Sequence, residues 1–180
     1  LSLQDALPIL SELDLATIAF GQTNTVSIVQ YLAGFNAVAN GGKWITPHIM
    51  KEIGHYDEQQ GKEIYEQQYD NFKEKMVMDP GKAAILRGYL ERVVSEGGGK
   101  NAFIDGYHIG GKTGTAQKVV DGRYGAGKYI SSFTGMAPCS KPEITVFVSI
   151  DEPDSSNYYA AQTAAPAAKQ VFNDLFNYLS

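Results

Sequence analysis

Cysteine occurs once in these 180 residues, at Cys139, so no disulfide closes within the chain and the small stapled scaffolds are excluded. The three histidines, His48, His55 and His108, show no metal-ligand spacing, and neither a metal nor a cofactor is expected. No run of about 18 apolar residues exists that would cross a bilayer. Lys and Arg number 15 against 20 Asp and Glu, a formal net charge of −5 with no basic block. Nucleic acid is therefore not an expected partner, because phosphate affinity rests on clustered cations. What remains is a chain with 43% hydrophobic and 11% aromatic residues, enough to bury a core and too apolar for disorder. It reads as one globular domain or a large part of one.

The first ten residues do not fit that picture. Leu1–Ile9 (LSLQDALPI) has neither a helical nor an alternating period and reads as a non-native leader, similar to a translated sequencing-adapter remnant. Residues 11–180 are then expected to be the C-terminal portion of a longer domain.

Ser27 begins a helical pattern in which Ile28, Leu32, Phe35 and Ala39 form a stripe, Ser27 and Gln30 a capping box, and Asn40-Gly41-Gly42 the stop. Trp44–Met50, broken by Pro47, suggests an extended edge. Residues 54–76 are polar and charged and read as a solvated insertion without assigned function. Asp79-Pro80 supplies a cap and a first-turn proline for a second helix striped by Leu86, Leu90, Val93 and Val94 and ended by Gly97-Gly98-Gly99.

Strand signals follow. Tyr107–Lys118, a Gly-rich turn at Asp121–Gly127, Tyr129–Ala137 and Glu143–Ile150, with Ile144, Val146, Val148 and Ile150 alternating, predict an antiparallel meander. A closing helix has Pro166 in its first turn and Val171, Phe172, Leu175, Phe176 and Leu179 on one face. The fold class is α+β, an antiparallel β-sheet flanked by helices.

Two motifs overlap on the first of these strands. Gly106–Thr113 (GYHIGGKT) matches the phosphate-cradling P-loop, G-x-x-x-x-G-K-[ST], and VFVSID at Val146–Asp151 resembles the strand whose acid holds magnesium. A P-loop requires a helix starting at Gly-Lys-Thr, so that its amides face the phosphates. Here Gly114 follows at once, and Thr113, Thr115, Val119 and Val120 are β-branched, which is strand chemistry. Gly111–Thr115 (GKTGT) also matches the K-T-G strand of penicillin-binding proteins and serine β-lactamases.

The flanks favour the second match. FGQTNTVSIVQ, AVANGG, ERVVSEGGGKNAF, GGKTGTAQ, SSFTGMAP and VSIDEP occur in that order over roughly residues 13–180. In this the chain resembles the transpeptidase domain of class B penicillin-binding proteins, the sporulation-associated kind most of all. The resemblance implies a serine acyl transfer in which the serine attacks the D-alanyl-D-alanine carbonyl of a peptidoglycan stem peptide, D-alanine leaves, and the acyl group passes to an amine on a neighbouring strand. β-Lactam antibiotics would acylate the same serine. It also implies an enzyme on the extracytoplasmic face of the bacterial membrane, anchored through an upstream segment.

By resemblance Lys112 and Thr115 are catalytic, and Thr113, Gly114 and Thr115 bind substrate. Strand alternation puts Thr113 and Thr115 on one face and Lys112 on the other. Lys112 would return an ammonium to the site along its flexible stem, Gly114 would let substrate lie against the strand, and the Thr115 backbone N–H would serve the oxyanion. The nucleophile motif S-x-x-K is absent from the sequence, and Ser155-Ser156-Asn157 matches S-x-N only by letters, after the last strand. The chain by itself is therefore expected to be inert, its nucleophile coming from elsewhere in the parent enzyme. A P-loop nucleotide binder, and a β-lactam sensor or β-lactamase sharing the K-T-G strand, are the alternatives. Asp151, Glu152 and Asp154 read as solvated acids, His108 as a strand residue with a satisfied ring, Tyr158 and Tyr159 as packing, and Asp121–Gly127 as a flexible turn at the cleft mouth.

Overall fold

The computed structural model describes Ala16, residues 26–120 and residues 123–179. The expected leader at residues 1–10 lies outside the described residues. The chain divides into two compact units, one spanning Ile28–Leu86 and the other holding Arg87 onward.

In the Ile28–Leu86 unit, α1 (Ile28–Ala39) packs on the short strand β1 (Lys43–Ile45), which pairs antiparallel with β4 (Glu74–Met76). Helix α1 stands where predicted, but its buried side is Ala33 and Ala37, while Ile28 is 53% exposed. Residues 54–76 are more than a solvated insertion. They complete a hairpin of β2 (Glu52–Asp57) and β3 (Lys62–Gln68) and supply β4. Their charges are exposed as expected, apart from the half-buried Asp57. Order comes from backbone pairing and from the Asp57 carboxylate, which accepts the Gln59 and Gln60 N–H groups at 2.8 and 3.1 Å and folds the turn.

Helix α2 (Pro80–Ser95) starts as its sequence predicts: Asp79 Oδ1 accepts the Lys82 N–H at 3.0 Å and its carbonyl the Ala83 N–H at 2.9 Å. A 3₁₀ turn at Lys100–Ala102 follows, then the sheet: β5 (Gly110–Val120), β6 (Arg123–Ala137) and β7 (Ile144–Asp151), antiparallel in the order β5-β6-β7. The predicted meander is therefore present, with one difference at its first turn. Arg123–Gly127 belongs to β6, paired through Val120↔Arg123 and Val119↔Tyr124. The next pair is Gln117↔Tyr129, so Gly125–Lys128 bulge out of the ladder, which is how a Gly-rich segment stays in a strand.

The sheet carries helices on both faces. On one, Phe133, Gly135 and Ala137 of β6 share a side with Ile144, Val146, Val148 and Ile150 of β7, and α3 (Ala164–Leu179) packs on them. Alternation thus points the predicted strand residues at one core. The face of α3 differs from expectation: Ala164, Ala165, Ala168 and Phe172 are buried, while Val171 and Leu179 are 40% and 63% exposed. Small alanines bring the helix close and Phe172 fills the gap; truncating such a buried phenylalanine costs about 3–5 kcal/mol, several times what a surface ion pair contributes. On the opposite face, the C-terminal part of α2 meets the start of β5. A Cβ at Gly110 would lie 2.1 Å from Cys139 Sγ and 2.9 Å from the Glu91 nitrogen.

Cys139 is buried there, 3% exposed, its N–H donating to the His108 carbonyl at 3.0 Å and its carbonyl accepting Arg87 Nε at 2.9 Å. Burial, aided by the nearby Glu91 carboxylate, pushes its thiol up to about 12. At neutral pH the thiolate needed for attack is therefore scarce and shielded. The native protein should leave an uncharged maleimide unreacted at Cys139, and the same protein in denaturant should take up one equivalent; stoichiometric labelling under native conditions would show the core at the base of β5 to be open.

Candidate active site on strand β5

The K-T-G residues lie on β5, the outer strand of its sheet, paired on one side only among the described residues. No helix starts at Lys112. The P-loop reading fails on that point, since GYHIGGKT presents no helix N-terminus to a phosphate. Gly111 is fixed by packing: a Cβ there would stand 2.4 Å from Phe133 Cζ and 2.5 Å from the Thr134 carbonyl oxygen. Backbone cannot yield as a side chain does, so residue 111 must be glycine if Lys112 is to hold its place.

Lys112 is exposed, and among the described residues its Nζ donates only to the carbonyl of Thr113, at 3.0 Å. Its stem is therefore free to reach a bound group. Register pairs it with Thr134, Gly114 with Ser132, Thr113 with Phe133 and Thr115 with Ser131. Thr113 and Thr115 share the face of Phe133 and α3, and Lys112 and Gly114 the other. A Cβ at Gly114 would meet only Ser132 Oγ, at 2.7 Å, the end of a side chain that can rotate away. Nothing in the fold itself demands glycine at 114.

Thr115 is engaged in a way its motif does not reveal. Its Oγ1 accepts the Ala160 N–H at 3.0 Å, and across the ladder Ser131 Oγ donates to the Tyr158 carbonyl. The segment 158–160 therefore runs over both strands, held by one hydroxyl from each. The Tyr158 ring stacks on Tyr129 at 3.9 Å between centroids, Asn101 Nδ2 donates to the Ala161 carbonyl at 2.7 Å, and Ala160 itself is buried. The Ser155-Ser156-Asn157 triplet lies earlier in this loop, in an exposed turn where Asp154 Oδ1 accepts the Ser156 N–H at 2.8 Å. The Ser156 hydroxyl, donating to the same oxygen at 2.5 Å, and then that N–H hold the Asp154 carboxyl below the usual carboxylate range.

The remaining acids are not simply solvated. Lys118 reaches across β6 to Asp151 at 2.7 Å and Glu152 at 2.9 Å, and Lys128 adds a contact to Glu152 at 3.3 Å. Hydrogen bonding to Asp151 and then Glu152 raises the Lys118 ammonium above its ordinary value, and the bond from Lys118 lowers Glu152. His108 precedes β5 rather than belonging to it. Its φ is +49°, its ring Nδ1 sits 2.8 Å from Glu91 Oε1, and its carbonyl turns to Cys139, which keeps it out of the ladder. Among the described residues no group of three His, Cys, Asp or Glu comes together as a metal site, and no helix is long and apolar enough to cross a membrane.

The whole arrangement, a K-T-G outer strand leading a three-stranded antiparallel sheet with helices on both faces, has close counterparts. The family model described as "Penicillin binding protein transpeptidase domain" matches residues 4–174. The chain belongs to that family. It is 40% identical over 159 residues to Stage V sporulation protein D of Bacillus subtilis, covering 88% of this chain and 24% of that protein. It is 33% identical over 165 residues to the probable peptidoglycan D,D-transpeptidase PenA of Neisseria meningitidis, covering 91% and 26%. The transpeptidase domain of Burkholderia pseudomallei penicillin-binding protein 3 superposes with a TM-score of 0.76 at 31% identity, covering 95% of this chain and 48% of that one. Mycobacterium tuberculosis penicillin-binding protein 3, solved in complex with aztreonam, superposes at 0.73 and 26% identity, covering 89% and 37%. The chain thus spans about a quarter of the length of these curated relatives.

Lys118 on β5, Ser131 on β6 and Ala160 in the loop after β7 are the residues that motif reading passes over. The doubled serine of SSFTG, next to the buried Phe133, is the one sequence signal that could have drawn attention to Ser131.

The ion cluster makes a testable statement about pH. Glu152 is lowered in the fold, so its stabilisation is present above the ordinary carboxylate range and lost as pH falls through the lowered value. Lys118 is raised, so its share is present below the ordinary lysine value and lost as pH rises through the raised one. Thermal melts of the protein and of Lys118→Met should differ modestly across neutral pH, and the gap should close at both extremes and in about 1 M salt. A gap constant with pH and salt would assign Lys118 a packing role instead.

Proposed function

We propose that this chain is the C-terminal portion, residues 11–180, of a transpeptidase domain whose parent is a serine D,D-transpeptidase of peptidoglycan synthesis. The nucleophilic serine stands outside this sequence, which contains no S-x-x-K. The observation that carries the reading is the geometry of β5: an outer strand with an exposed lysine, a glycine the fold does not require, and an edge left for an extended peptide. A stem peptide ending in D-alanyl-D-alanine aligns along that edge as an additional strand. Gly114 admits it closely, Thr113 and Thr115 receive its terminal carboxylate, and the Thr115 N–H donates to the oxyanion of the tetrahedral intermediate. Lys112 supplies positive field and orients the proton relay to the serine. β-Lactams enter the same site, in keeping with the aztreonam complex of the mycobacterial relative. The parent works at the extracytoplasmic face of the bacterial membrane, held by a segment outside this sequence. Names of relatives favour peptidoglycan transpeptidation over a β-lactam sensor or β-lactamase.

Three outcomes follow from this assignment. Incubated with a fluorescent penicillin, the isolated chain should form no covalent adduct, and stoichiometric, denaturation-resistant labelling would place a nucleophile within it. In the full-length parent, Lys112→Ala should lower the second-order acylation rate by roughly 10² or more with an unchanged melt, because an exposed lysine with one local hydrogen bond stabilises little. Thr115→Val keeps the backbone N–H but deprives Ala160 of its acceptor. It should therefore lower acylation less than Lys112→Ala while costing about 1–3 kcal/mol of stability. Parental acylation by Lys112→Ala would remove the lysine from the site.

A further inference from the structure

The Thr115 hydroxyl has one donor and two acceptor positions. One acceptor position is filled by the Ala160 N–H at 3.0 Å, and among the described residues its proton has no recorded acceptor. The hydroxyl is therefore held by its lone pair, which leaves the O–H available to donate to a ligand. What holds it is the segment 158–160, and what holds that segment is Ser131, fully buried on the strand beside Thr115 in register and donating to the Tyr158 carbonyl. Asn101 grips the next carbonyl, that of Ala161, at 2.7 Å.

We infer that Ser131 is a positioning residue for substrate carboxylate recognition: through the Tyr158 carbonyl and the Ala160 N–H it orients the Thr115 hydroxyl as a donor to the carboxylate. The inference rests on the carboxylate role proposed for Thr115. Two bonds two residues apart, one accepted by and one donated from the same short segment, act as a rail. Loosening either end lets the Thr115 rotamer turn and its proton find the backbone instead of the ligand. Ser131 need not touch substrate for this to matter, because a preorganised donor is worth more than one that must be ordered on binding. The inaccessibility of Ser131 rules out its acting directly on a ligand at the outer edge of β5.

The test compares acylation of the full-length parent by a penicillin and by its carboxyl methyl ester, which keeps the reactive ring but lacks the anion. The ratio of the two second-order rates reads carboxylate recognition alone; a general loss of fold lowers both rates and leaves the ratio fixed. Ser131→Ala should lower the ratio by roughly three- to tenfold, and Thr115→Val by at least as much. Because Ser131 is buried, Asn101→Ala, an exposed change at the other end of the segment, serves as a second lever and should lower the ratio in the same direction. If Thr115→Val lowers the ratio while Ser131→Ala and Asn101→Ala leave it at the parental value, the rail is not what orients the hydroxyl and the inference is overturned. If Thr115→Val leaves the ratio unchanged, the carboxylate role of Thr115 fails first, and the inference with it.

Discussion

Everything in the sheet-bearing unit depends on β5 being packed from both faces while one of its edges stays open. A strand buried on its faces and paired on both edges is inert backbone. A strand with open faces and an open edge is an aggregation site. Here α3 covers one face and the C-terminal part of α2 meets the other at the start of the strand, where glycines at 110 and 111 let α2, Cys139 and the Phe133 ring come within contact of the backbone. That close packing fixes the height of the strand, so the hydrogen-bonding groups along the free edge are presented at a defined position. The order β5-β6-β7 leaves that edge unpaired among the described residues.

From this constraint the division of labour among neighbouring residues follows. Gly111 serves the fold, because a side chain there would strike backbone and a buried ring. Gly114, three positions on, meets only a rotatable serine hydroxyl. Lys112 between them is exposed, its Nζ bonded to the neighbouring Thr113 carbonyl. Residues separated by one or two positions thus answer to different demands, and strand alternation is what keeps those demands on separate faces.

Much of this was legible in the sequence. The period-two run from Ile144 to Ile150 and the short connections set the meander, and Asp79-Pro80 set the start of α2. Gly114 directly after Lys-Thr, with β-branched neighbours, was enough to favour strand over P-loop. Less legible were features carried by weakly hydrophobic or polar residues. The buried face of α3 is drawn in alanine, so a pattern keyed to large side chains rotated the helix toward Val171 and Leu179. Residues 54–76 bury little, so no apolar periodicity marked their strands, although Asp57 and Gly61 carried a turn signal. The bulge at Gly125–Lys128 hid a strand inside glycine composition. Acids after a strand looked solvated because their cations, Lys118 and Lys128, come from other parts of the sheet, and long-range partners leave no local trace.

The same limit explains why the support of Thr115 was invisible. A motif gives the residues along one strand, whereas the donor on Thr115 Oγ1 comes from 45 positions away and the clamp on that donor from a serine in the next strand. The bond also imposes a compromise. An acceptor satisfied by a buried backbone N–H stabilises the loop, and the same bond restricts where the hydroxyl proton can point. A threonine suits both requirements: its β-branch limits χ1, so the hydroxyl that accepts from Ala160 changes little in direction when a ligand arrives. A serine would keep the chemistry with a looser rotamer, and a valine would keep the shape with no bond at all. On the role proposed for Thr115, the residue type at 115 answers to two demands, a loop that must be anchored and a carboxylate that must be met.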